Sequence, residues 1–138
     1  MTISELKSKM QAAIAGTGII SFSFDDLSAT ASELTTDYPL LHVSIPKSKD
    51  IRFDREDWDI EAFVFVKEEQ ANKDERLLKW DEAKNLMRLW IKNFIAANKL
   101  LIHQTTQQIA WTPGHTQFND ELIGIKAEFT ITIPLPIC

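Results

Sequence analysis

The sequence predicts an α+β fold: a mostly antiparallel sheet of about four to five strands, with one long helix packed on it and a short N-terminal helix. Two patterns carry the prediction. From Leu122 to Cys138 apolar residues take every second position, Ile123, Ile125, Ala127, Phe129, Ile131, Ile133, Leu135 and Ile137, as in a strand with one buried face. From Glu75 to Leu101 no Gly or Pro interrupts a pattern that places Trp80, Ala83, Met87, Trp90, Ile91, Phe94 and Leu101 on one stripe at about 100° per residue. A length of 138 residues suits a single domain, 1–138.

The elements follow in order. Ile3, Leu6, Met10, Ala13 and Ile14 recur at helical spacing with polar residues between them, and Gly16 and Gly18 end the helix. Ile20, Phe22 and Phe24 alternate with Ser21 and Ser23 as a first strand. Leu27 to Asp37 has no period and reads as a loop. After the turn signal Tyr38-Pro39, the residues Leu41, Val43 and Ile45 alternate with His42 and Ser44 until Pro46, forming a second strand. Lys47 to Asp57 is charged and reads as an exposed loop. Trp58 to Lys67 is a strand apolar on both faces, with Ile60, Ala62, Val64 and Val66 on one and Phe63 and Phe65 on the other, so it belongs inside the sheet. His103 to Trp111 reads as a strand with Ile109 and Trp111 in phase, and Thr112-Pro113-Gly114-His115 reads as a turn opening a long loop to Glu121. In the closing strand Lys126, Glu128, Thr130 and Thr132 form the polar face.

Composition narrows the function. The balance of 15 basic and 20 acidic residues, a formal charge of -5, argues against a surface that binds nucleic acid by neutralising phosphates, though not against one that DNA merely passes. Cys138 is the only cysteine, which precludes an intrachain disulfide and fits folding in a reducing cytoplasm. The N-terminal residues lack the pattern of a secretory signal, and no stretch approaches the roughly 18 apolar residues of a membrane span, so no membrane partner is expected.

No catalytic, metal or cofactor site emerges. His42, His103 and His115 are too dispersed for a local metal motif, and His42 alternates out of the apolar set of its strand, which points to solvent or an interface. Asp54, Glu56, Asp57, Asp59 and Glu61 lack the glycine and spacing of a calcium loop. No serine lies in a nucleophile elbow, and Gly16-Thr17-Gly18 follows a helix where a dinucleotide fingerprint needs a strand before it. Trp58, Trp80 and Trp90 read as core, and Trp111 as the tryptophan available for contact. Leu78, Leu86, Leu89, Ala97 and Leu100 fall opposite the core stripe of the long helix, where charges would be normal. This second stripe predicts a subunit or partner interface at Leu78, Leu86, Leu89 and Leu100, unless Leu27, Leu34 or a loop folds over it. The loop with Trp111, Pro113, His115, Phe118 and Asn119 is the second expected contact.

The order of elements, with Tyr38-Pro39-Leu40-Leu41-His42-Val43 leading the second strand, one Trp-bearing helix and a closing strand beginning Leu122-Ile123-Gly124-Ile125, resembles small neck proteins of tailed bacteriophages, of the tail terminator or tail-completion (head-tail joining) type. The resemblance implies a structural virion protein and not an enzyme. It implies a homo-oligomeric ring, commonly a hexamer, built in the host cytoplasm, that caps the tail tube, meets the head connector and lets DNA through without sequence-specific binding. The alternatives are a cytoplasmic adaptor of a mobile element binding one protein partner, and an enzyme or ligand-binding domain with a pocket between helix and sheet.

Overall fold

The computed structural model describes residues 2–24, 38–51, 54–67, 73–99, 102, 104–105, 110–117 and 121–134. Its secondary structure is that of an α+β fold. The first helix, α1 (Ile3–Ala12), starts where the Thr2 hydroxyl accepts a hydrogen bond from the Glu5 amide at 3.1 Å, satisfying one of the free donors of the first turn. Leu6 and Met10 are its buried residues. The chain leaves the helix through Gly16 and Gly18, with φ of 77° and 94°, values in the left-handed region that glycine adopts without strain.

The strands are β1 (Ser21–Phe24), β2 (Leu40–Val43), β3 (Lys47–Ile51), β4 (Arg55–Lys67), β5 (Gln104–Thr105), β6 (Ala110–Gln117) and β7 (Glu121–Pro134). They form one sheet ordered β1-β2-β4-β7-β5, with β3 also on β4 and β6 also on β7. Only β1 and β2 run parallel among these pairs. The backbone of the sheet is the β4–β7 ladder, which pairs Arg55 with Pro134 through to Lys67 with Leu122. Residues 25–37 and 135–138 lie outside the described residues, and with them the expected loop at Leu27 to Asp37 and the end of the closing strand.

The long helix, α2 (Lys73–Ala97), lies on the sheet as its stripe predicts. Ala83, Met87, Trp90, Ile91 and Phe94 are buried against the inner face, where Trp58, Ile60, Ala62, Val64 and Val66 of β4 alternate with Ile123, Ile125, Ala127, Phe129, Ile131 and Ile133 of β7. Trp90 stacks on Phe94 at 5.7 Å and meets Phe129 edge-on at 6.3 Å. Burial is worth roughly 1.5–3 kcal/mol per large side chain, so this stripe outweighs any difference in helix propensity along α2. Trp90 also ties the helices together, its indole N–H donating to the Met10 carbonyl at 2.9 Å. Asn93 Nδ2 donates to Ala13 O at 3.3 Å, so α2 side chains satisfy carbonyls at the end of α1 that have no intrahelical donor.

Two expectations are corrected. Lys47 to Asp57 is not a loop: β3 pairs with β4 from Lys47 opposite Asp59 to Ile51 opposite Arg55, and β4 begins before Trp58. All of β3 except Ile51 is exposed, so pairing with an open edge of β4, rather than a buried face, makes it a strand. Thr112-Pro113-Gly114-His115 is not a turn. These residues lie within β6, opposite Lys126, Ile125, Gly124 and Ile123 of β7. Among the described residues β6 pairs only with β7, and such an edge strand tolerates a proline that has no N–H to give.

Candidate functional site

The surface of α2 divides as its sequence does. Opposite the core stripe, Leu78 is 68% exposed and Leu89 44% exposed. Leu77 beside them is 49% exposed; it falls between the two stripes, which is why periodicity did not single it out. Leu86 does not share their exposure. It is half-buried against the main core, and its Cδ2 lies 3.5 Å from the point where a side chain on Gly18 would begin. The turn after α1 therefore approaches Leu86 and leaves Leu78 and Leu89 open. Leu100, and Leu27 and Leu34, the alternative cover for the stripe, lie outside the described residues.

The outer face of the sheet, away from α2, holds two neighbourhoods. At one end Leu40 and Phe65 are buried, with Tyr38 and Phe63 packed against them. The rings of Phe63 and Phe65 stack at 5.8 Å. Gly124 stands opposite Phe65 in the ladder, and a Cβ there would come within 2.6 Å of the Phe65 ring, so only glycine leaves the ring its place. His42 belongs to this layer and is fully buried, correcting the expectation of a solvent-facing or interface residue. Its Nδ1 lies 3.1 Å from Ser23 Oγ, and its ring is 6.0 Å from that of Phe63. The alternation within β2 could not show this, because the apolar neighbours come from β4.

Further along the same face the side chains are charged. The Thr130 hydroxyl donates to Asp59 Oδ1 at 2.8 Å, and the Thr132 hydroxyl to Asp57 Oδ1 at 2.5 Å. Lys126 Nζ lies 3.0 Å from Glu128 and 3.7 Å from Glu61. The hydrogen bond to Glu128 holds the Lys126 ammonium above the ordinary lysine range, with the charge of Glu61 adding to the effect and partial desolvation opposing it. Lys47 and Lys49 of β3 stand opposite Asp59 and Asp57 in the ladder, so the acidic run of β4 faces compensating charge. A groove of about 540 Å³ opens here between Ser44, Ile45, Lys47, Asp59, Glu61 and Glu128. Among the described residues no group of three or more His, Cys, Asp or Glu is placed to hold a metal ion.

The expected contact loop is rearranged. Trp111, Pro113 and His115 are strand residues, opposite Ala127, Ile125 and Ile123 of β7, while Phe118 and Asn119 lie outside the described residues. No family model matches the sequence, and no curated protein matches it. No described helix is long and apolar enough to cross a membrane. The space between α2 and the sheet, where a ligand-binding alternative would place its pocket, is filled by Met87, Trp90, Ile91, Phe94 and Phe129. Of the residues singled out beforehand, Leu78 and Leu89 are exposed on one flank of α2, and Leu77 is exposed on the other.

Proposed function

We propose that the chain is a structural subunit of a bacteriophage neck, assembling into a ring that terminates the tail tube and joins it to the head connector. The observation that supports this reading is the exposed leucine surface of α2: Leu77, Leu78 and Leu89 stand in water on a helix whose opposite side is fully packed. In this reading a protein partner covers these leucines. The formal charge of -5 suits a wall that DNA passes without being held. In this reading the chain works in the virion neck after assembly in the host cytoplasm, and no cofactor takes part.

The experiment is assembly of tails in the presence of the purified chain, comparing the parent with Leu78→Glu/Leu89→Glu. The reading predicts that the parent completes tails and that the variant, with an unchanged circular dichroism spectrum, does not. Tails completed equally by both would remove α2 from the contact. Reproducible turnover in a hydrolase and nuclease screen, abolished by a point substitution, would replace the structural role with an enzymatic one.

A further inference from the structure

The exposed side of α2 carries more than leucines. Asp74, Asp81, Lys92 and Lys99 are all exposed, Lys99 lying two residues past the helix end. At about 100° per residue they fall within about 20° of one another, a straight stripe that is acidic in its first half and basic in its second. Both opposite-charge pairings, Asp81 with Lys92 and Asp74 with Lys99, have the same midpoint, between Leu86 and Met87. A stripe sorted about one midpoint is complementary to itself when turned end for end.

We propose that this face of α2 binds the same face of a second copy of the chain, antiparallel, about a twofold axis level with Leu86 and Met87. The axis brings Asp81 of each copy level with Lys92 of the other, and Asp74 level with Lys99. It keeps each flank of the stripe on its own side, so the exposed Arg88, nearest the axis, meets its own copy with Lys84 beside it, a like-charge contact that the opposite-charge pairs must outweigh, and the uncharged residues pair as well. Leu78 comes level with the exposed Ala96 of the second copy, large against small, and Leu89 with Asn85. On the other flank Leu77 meets Ile95. The leucines supply apolar burial, while charge pairs at an exposed rim set register and orientation more than strength. Acidic residues early and basic residues late in a helix also favour the helix dipole. That preference acts within the first and last turns, whereas Asp81 and Lys92 lie further in.

The inference does not rest on the neck reading. A twofold contact closes on two copies, and a ring of six would need a second contact alternating with it.

The test is a charge exchange read by analytical ultracentrifugation. Asp74→Lys/Asp81→Lys makes the stripe wholly basic, and Lys92→Glu/Lys99→Glu makes it wholly acidic. The parent is expected to sediment as two or more copies of the 15.8 kDa chain. Each variant alone is expected to lose the association, and an equimolar mixture to regain it. Leu78→Ser/Leu89→Ser keeps every charge and must also lower the mass, which guards against a weakened helix in the charge variants. A parent that stays a single chain, variants that keep the parental mass, or a mixture that fails to recover it would overturn the proposal.

Discussion

Trp90 and Trp58 are both buried, yet they differ in one atom's surroundings. Trp90 Nε1 donates to Met10 O, whereas Trp58 Nε1 is buried with no hydrogen-bond partner among the described residues. Trp90→Phe strands a carbonyl and Trp58→Phe does not, so the first should lose about 1–3 kcal/mol more than the second in urea denaturation. Gly124→Ala should cost about 1–3 kcal/mol, because its methyl meets the Phe65 ring, and Phe65→Leu in the same chain should recover part of the loss. Lys126 has a raised folded pKa. Its stabilising contribution is therefore complete below the unfolded value of about 10.4 and is lost as pH rises through the folded value. Stability followed from neutral to strongly alkaline pH should show the parent losing its advantage over Lys126→Met across that range; a constant difference would contradict it.

At the scale of the element, Leu86 and Leu89 separate although the sequence puts them on one stripe. Leu86→Glu forces a charge against the core and should lower the denaturation midpoint, a loss of about 1–3 kcal/mol of unfolding free energy if the side chain cannot turn outward. Leu89→Glu should leave the midpoint of the dissociated chain within experimental error and act through association. The contrast shows what could be read in advance. The core stripe of α2 and the β7 alternation were legible because each element writes its buried face in its own periodicity. β3 was not, since an exposed strand that exists by pairing has no apolar rhythm. β6 was missed because Pro113-Gly114 imitates a turn, and whether such a pair turns or extends depends on β7, a partner found only in the fold. His42 was misplaced for the same reason, its apolar neighbour Phe63 lying on another strand. In the candidate site, Leu78 and Leu89 were visible as misplaced leucines, while Leu77 emerged only from exposure.

At the scale of the molecule, a packed inner layer and an open leucine surface on α2 leave the chain with one well-covered side of its helix and one uncovered. In the neck reading a neighbouring subunit or a neck partner covers that surface; the twofold pairing of α2 is a separate way to cover it, because alternating twofold contacts build a ring with two identical ends, not one that meets a tail at one end and a connector at the other. Negative-stain imaging of the purified chain tests the central claim most directly. The neck reading predicts closed rings with a central opening, of about six subunits. Particles no larger than a pair of chains, without an opening at any concentration, would contradict the ring and leave the α2 pairing standing alone.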